Sequence, residues 1–319
     1  MTMKELAKIV NVSVSTVSKA FCDADDVSTE TKNLIFEAAK KYGCYGKYFK
    51  GKYPKPIIAI ICPEINSGYY TQYIETLQNV IEGNNAIAVI SSYNFNNDKK
   101  QELIDYYASH LRVDGVFVIG SVDNLKKGYE TPIVSLLHVE NSFTDCVIID
   151  LNTPIIKAVE ILKDLGHKKI AFISETLTMP KAEIFLKALG DDATMDDVFI
   201  VTSRFEQAGE DGAKTMLESG VKYTAVICAY DDIAFGAIKY LKTQGLSVPE
   251  DISVIGIDNL KVSKYFETSL TTIGANVEEV CMVAWDLMEK KLKNKFYVSR
   301  QKITITGNVF LRESVGKAK

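Results

Sequence analysis

The residue types most often recruited for catalysis or transition-metal binding are sparse in this 319-residue chain: three histidines (His110, His138, His167) and six cysteines (Cys22, Cys44, Cys62, Cys146, Cys228, Cys281). Their spacing offers neither. No histidine stands in a metal-ligand or nucleophile motif, and no CxxC pair occurs. No P-loop or dinucleotide glycine pattern follows an apolar run, and 19 glycines are an ordinary share for this length. No enzymatic activity, metal or cofactor is expected. The cysteines should be reduced, mostly buried and structural.

A different chemistry is concentrated in Ser13-Val14-Ser15-Thr16-Val17-Ser18-Lys19. On a short helix, Ser13, Thr16 and Ser18 suit phosphates, which position without specifying. Val14 suits a thymine methyl, Ser15 is an adaptable base contact, and Lys19 reaches guanine acceptors. Farther along, Asp150 and Asp258 each end a β-branched run. A sugar or nucleoside site would need acceptors there, although a helix cap or loop residue would fill either position as well.

The elements around these residues are legible. Thr2-x-x-Glu5 is a capping box that starts a helix at Met3, with Leu6, Ala7, Ile9 and Val10 on one face. Asn11 turns the chain. Ser13 caps a second helix over Val14 to Phe21, with Val17, Ala20 and Phe21 inward, and Ser28 caps a third whose buried stripe is Leu34, Ile35, Ala38 and Ala39, ending at Gly43. Three short helices with a tight first turn predict a helix-turn-helix domain over residues 1–45, its second helix in the major groove. Spacing alone also fits an ordinary three-helix bundle with a serine-rich face.

Charge supports the first reading. Residues 1–56 hold ten lysines against six acids, a net +4 within an overall −4, so the rest of the chain carries −8. A basic head on an acidic body fits a DNA-binding domain joined to something that stays off DNA. The segment 46–56 interleaves Lys47, Lys50, Lys52 and Lys55 with Tyr48, Phe49 and Tyr53. It is either a solvated tether or a hinge whose lysines displace counterions from phosphates.

From residue 57 strand-like and helix-like stretches alternate, which predicts parallel sheets with helices on both faces. Strands are expected at 57–61, 87–91, 115–119, 133–137, 147–150, 170–174, 198–201, 225–228, 253–257 and 303–306. Ten strands exceed one comfortable sheet and the pattern restarts near Asp150, so two doubly wound subdomains are expected, with a ligand cleft between them at strand carboxyl ends. The N-terminus lacks a signal-peptide core, and apolar runs such as 57–62 have strand length. A soluble, cytoplasmic protein without a membrane span is expected.

The head segment from Met3 to Phe21, with Val27-Ser-Thr-Glu-Thr, closely resembles the head of the lactose/galactose repressor (LacI/GalR) family. In the body, Val113-Asp-Gly, Leu165-Gly-His-Lys-Lys-Ile-Ala-Phe-Ile, Val248-Pro-Glu-Asp-Ile-Ser-Val-Ile-Gly-Ile-Asp and Leu270-Thr-Thr-Ile match the same family. The resemblance implies a periplasmic-binding-protein-like type I body, dimeric, with chain crossings near 150, 275 and 300. Subdomain N would hold about 57–150 plus 275–300, and subdomain C about 151–274 plus 301–319. In the head, Val14, Ser15 and Lys19 fall at base-reading positions, Lys19 in place of the usual arginine, and Cys22 replaces a common asparagine. The family's Pro-Asn hinge helix and its leucine wedge are missing. Gly46-Lys47 stands in place of Pro-Asn, leaving Tyr48 or Phe49 as wedge and Lys50 as a phosphate contact.

By the same resemblance Ser67, Gly68, Tyr69 and Tyr70 open the effector pocket. Asp150, Lys181 in place of an arginine, Phe205, Tyr230 in place of an asparagine, and Asp258 complete it. The tyrosines suit core or interface packing equally. A homodimeric repressor of a near-palindromic operator, controlled by a small effector such as a sugar, is expected. A regulator with a degenerate pocket under a protein partner, and a ligand receptor that does not bind DNA, are the alternatives.

Overall fold

The computed structural model describes residues 1–22, 24–48, 55–111, 113–122, 128–137, 143–190, 193–294 and 299–319. It divides into two units, Met1–Lys55 and Pro56–Lys319. Phe49, Lys50, Lys52, Tyr53 and His138, all singled out in the sequence, lie outside the described residues.

The head forms α1 (Met3–Ile9), α2 (Val14–Phe21), α3 (Thr29–Lys41) and a single turn, α4 (Tyr45–Tyr48). Local chemistry sets each start. Thr2 and Glu5 form the reciprocal capping box, while Ser13 and Ser28 accept from the amides of Thr16 and Thr31. Leu6, Ala7, Val17, Ala20, Phe21, Val27, Ile35, Ala39 and Cys44 make the core. Two expected core residues are outside it: Ile9 is 46% exposed and Leu34 is 55% exposed. Three short helices cover only one side of α1 and α3, and these two side chains project from the other.

The body holds two six-stranded sheets. In the first, the order is β11 (Lys302–Thr306), β5 (Asp145–Asp150), β4 (Ile133–Leu137), β3 (Gly115–Ile119), β1 (Ile57–Cys62) and β2 (Ile87–Ser92). All of its pairings are parallel. In the second, the order is β12 (Asn308–Phe310), β10 (Thr271–Gly274), β9 (Ser253–Ile257), β8 (Ala225–Cys228), β6 (Ile170–Glu175) and β7 (Val198–Val201), with only β12 antiparallel. Near-continuous Ile and Val in β1, β3, β8 and β9 reflect burial on both faces.

The first lobe adds α5 (Gly68–Gly83), α6 (Asn97–Asp105) with a π-helical continuation over Tyr106–Leu111, and α11 (Val277–Lys293). The second adds α7 (Asn152–Asp164), α8 (Met179–Leu189), α9 (Phe205–Glu218) and α10 (Asp231–Thr243). No helix among the described residues is long and apolar enough to cross a membrane.

The chain passes between lobes after Asp150, after Gly274 and at Gly307, and these crossings touch. The Gly307 amide donates to the Asp150 carbonyl at 2.9 Å, and a Cβ on Gly307 would stand 3.0 Å from the Gly274 carbonyl. Residues 302–306, assigned from the sequence to the second lobe, pair with β5 in the first, so the last crossing falls at Gly307. Lys302-Ile-Thr-Ile-Thr alternates as an edge strand should. The short strands β10 and β12 were not anticipated.

Candidate functional site

Two surfaces carry the sequence candidates. On the head, α2 buries Val17 and Ala20 and leaves Val14, Ser15 and Lys19 exposed, with Thr16 and Ser18 half-exposed on the same side. The Ser13 hydroxyl caps the helix and bonds to the hydroxyls of Ser15 and Thr16, each at 2.7 Å. Lys19 is paired with Asp26, a salt bridge between two exposed side chains that holds the Asp26 carboxyl below its usual range. Tyr48 turns back onto the head: its ring lies 5.8 Å from Phe21 and its hydroxyl donates to the Met1 carbonyl at 2.7 Å.

The second surface is where carboxyl ends of strands from the two lobes face each other. Ser67 caps α5 through a 3.2 Å bond from the Tyr69 amide. The rings of Tyr69 and Tyr70 are 5.1 Å apart, and burial drives both hydroxyls up from the ordinary tyrosine value. Across from them, Lys181 on α8 donates to the Ala229 carbonyl at 2.6 Å and stands 3.6 Å from Asp258. Asp258 follows β9 with φ +112° and is buried. Desolvation pushes its pKa up to about 7, although Lys181 pulls the other way. Gln72 of the first lobe donates to the Asp258 carbonyl at 3.2 Å, stitching the lobes together.

Phe205 and Tyr230 also meet here, their ring centroids 6.3 Å apart and the Phe205 amide donating to the Tyr230 hydroxyl. Asp150 does not join the group. Its carboxylate accepts from Asn152 and Thr153, the latter through the hydroxyl at 2.6 Å, and so starts α7 as a cap.

Sequence reasoning missed the most heavily charged part of this site. Arg204 reaches across to Glu64 of the first lobe with bonds of 3.0 and 3.3 Å, and its Nε faces Glu175 at 3.5 Å. Its guanidinium lies 4.6 Å over Phe205 and 5.8 Å over Phe95. Glu175 ends β6, and the strand-end rule that picked Asp150 and Asp258 would have found it. Nothing local marks Glu64 or Arg204.

Asp231, the first residue of α10, is fully buried and accepts from Ser263, Thr272 and the Leu260 amide at 2.5–2.8 Å. It anchors the loop after β9 and therefore Asp258. Gly256 leaves room for it, since a Cβ there would stand 2.1 Å from the carboxylate. His167 bonds to Thr224 and to the Gly316 carbonyl, fastening the C-terminal segment, so its role here is structural. No group of metal-ligating side chains occurs among the described residues.

Residues 2–45 match the family described as "Bacterial regulatory proteins, lacI family", and residues 159–315 match a periplasmic binding protein-like domain. The chain is 30% identical to the HTH-type transcriptional repressor CytR of Escherichia coli (strain K12), over 85% of this chain and 84% of that one. Its fold resembles the lac repressor dimer bound to operator and the anti-inducer ONPF (TM-score 0.74, 19% identity, 99% of each chain). It also resembles a LacI family transcriptional regulator from Enterococcus faecium with bound ribose (TM-score 0.71, 22% identity, 82% of this chain and 100% of that one).

Proposed function

Because the chain belongs to the LacI family of transcriptional regulators, we propose that residues 1–45 read an operator and that 57–319 bind an effector and dimerise, in the cytoplasm. The observation that carries this reading is the open Val14–Lys19 face of α2, capped and oriented by Ser13. Val14, Ser15 and Lys19 meet base edges, and Ser13, Thr16 and Ser18 meet phosphates. Lys50 adds a sequence-independent phosphate contact, with Tyr48 or Phe49 as the minor-groove wedge. For Tyr48 that role requires leaving Phe21 and Met1.

A homodimer would set two such helices in successive major grooves, ~34–36 Å apart, on a near-palindromic site. The effector site is the interlobe cleft with Ser67, Tyr69, Tyr70, Lys181, Phe205, Tyr230 and Asp258 on its walls. A small polar molecule of sugar size suits these donors, acceptors and rings. To switch operator binding it must favour one lobe arrangement by a coupling free energy of ~1–3 kcal/mol. Repression is the mode proposed.

A second reading, control by a protein partner over a degenerate pocket, is favoured by one fact: Lys181 is paired with Asp258 and the Ala229 carbonyl, and Arg204 with Glu64, within the protein itself.

The test is fluorescence anisotropy with DNA from upstream of the gene against scrambled DNA, for the full chain and a 56–319 truncation, over a salt series. Salt-dependent preference that vanishes on truncation is expected. Equal affinity for both DNAs at every salt would overturn operator reading by the head. Operator binding that no metabolite shifts would favour the second reading.

A further inference from the structure

Arg204 occupies the cleft in a way that invites competition. Its guanidinium lies over two rings, 4.6 Å from Phe205 and 5.8 Å from Phe95, and bridges a carboxylate from each lobe, Glu64 and Glu175. The three charged side chains are unequal. Arg204 is 37% exposed, whereas Glu64 and Glu175 are only 11% and 5% exposed. The arginine has water beside it, but its departure leaves two buried carboxylates uncompensated unless another cation takes its place. The glutamates, enclosed in the cleft, are the part of the cluster that stays.

Glu175 ends β6, buried, with its carboxylate 3.5 Å from the Arg204 Nε. The Nε of Arg204, buried and 3.5 Å from Glu175, makes no hydrogen bond, so the fit of this guanidinium to the second carboxylate is incomplete. The neighbouring cation, Lys181, is already taken by the Ala229 carbonyl and Asp258. What remains is two buried acceptors and an aromatic clamp of the kind that holds a cation by its flat face.

We propose that Arg204 is a built-in stand-in for the effector, and that the effector carries a cationic group, ammonium or guanidinium, which displaces Arg204 from Glu64 and Glu175. This rests on the interlobe cleft being the effector site. It narrows the ligand from a sugar-sized polar molecule to one bearing a protonated nitrogen, as in an amino sugar, and disfavours carboxylates and phosphates. Because Glu64 and Glu175 belong to different lobes, a ligand that replaces Arg204 also resets the link between them.

The decisive experiment removes the stand-in and supplies a free one. Full-length wild type, R204A and R204A/E64Q are melted by calorimetry with methylguanidinium chloride or sodium chloride at ~10 mM, far below denaturing levels. R204A should melt lower than wild type. Methylguanidinium should restore part of that loss, sodium chloride should not, and R204A/E64Q should not respond. A natively folded R204A that methylguanidinium raises no more than sodium chloride does would overturn the proposal. Should R204A fail to fold, wild type is titrated with glucosamine and with glucose. Affinity for the amine higher by about tenfold supports the proposal, and equal or reversed affinities overturn it. Rescue of R204A together with operator binding that no amine shifts would keep the cation site and sink the effector reading. A neutral sugar that shifts operator binding while methylguanidinium leaves R204A unchanged would do the reverse.

Discussion

The backbone amide of Phe205 donates a 2.9 Å hydrogen bond to the hydroxyl of Tyr230, tying the first residue of α9 to the residue that starts α10. Phe205 sits at φ +57°, a conformation that costs a non-glycine residue about 1–3 kcal/mol and needs support from its surroundings. The tyrosine supplies it, and the same hydroxyl holds the Glu175 carboxyl down against the rise from burial. Tyr230→Phe keeps the ring and removes this support. It should destabilise the body by about 1–3 kcal/mol and lower Tm by roughly 2–4 °C per kcal/mol. Calorimetry checks this, and an unchanged Tm would show that the hydroxyl is not the support.

Asp258 makes stability depend on pH. Burial raises its carboxyl from 3.8 to about 7, against the pull of Lys181 and with the help of Asp231 and Asp232, while Tyr69, Tyr70 and Tyr73 face it from α5. A carboxyl whose folded pKa lies above its unfolded one favours folding fully below the unfolded value, and that contribution is lost as pH rises through the folded value. The wild-type body should therefore lose stability from this group between about pH 4 and pH 7. In Asp258→Asn the loss disappears, so Tm relative to wild type should climb between about pH 4 and pH 7 and level off above that. A constant difference between those pH values would contradict the assignment.

Helices α9 and α10 pack through glycine. A Cβ on Gly236 would fall 1.8 Å from the Glu206 carbonyl, and one on Gly209 would fall 2.0 Å from the Ile233 carbonyl. Backbone cannot yield as a side-chain tip does. Gly236→Ala should cost about 1–3 kcal/mol or more and disturb the start of α9, where Phe205 lies. Gly83→Ala, at a helical site with nothing within 4 Å, should be neutral or stabilising by up to about 1 kcal/mol. Chemical denaturation of the two variants checks the contrast.

On the head, Lys19 is held by Asp26 and must leave it to reach a base. Lys19→Ala should lower affinity for operator far more than for scrambled DNA, by about 1–3 kcal/mol of discrimination. Equal losses on both would remove Lys19 from base reading. Asp26→Asn should raise affinity for both DNAs at low salt, and the gain should fade as salt screens the charge.

How much of this was legible follows from the range of each interaction. Thr2, Ser13 and Ser28 cap helices within three residues of themselves, so the head could be read residue by residue. The β-branched runs announced the long strands, whereas β10 and β12 have four and three residues and no periodic signal. Asp258 stood out as a strand end, and its burial beside Lys181 matches that reading. Asp150 stood out for the same reason, but its carboxylate caps α7. Pattern locates a strand end without saying which way the next loop turns. Glu64 and Arg204 are 140 residues apart and meet only because two lobes face each other. The glycines of α9 and α10 drew no notice because composition cannot show which backbone another backbone will approach.

The crossing at Gly307 has a consequence for biosynthesis. The head is one uninterrupted segment, made before either lobe and able to fold while the lobes are still being synthesised. Neither lobe has that freedom. The first waits for β11 (Lys302–Thr306) and the second for β12 (Asn308–Phe310), so both sheets gain these edge strands only after the other strands and helices of the body have been made. Until then the edges of β5 and β10 stand open to mispairing. A premature stop almost anywhere upstream therefore leaves a finished head attached to two unfinished lobes at once.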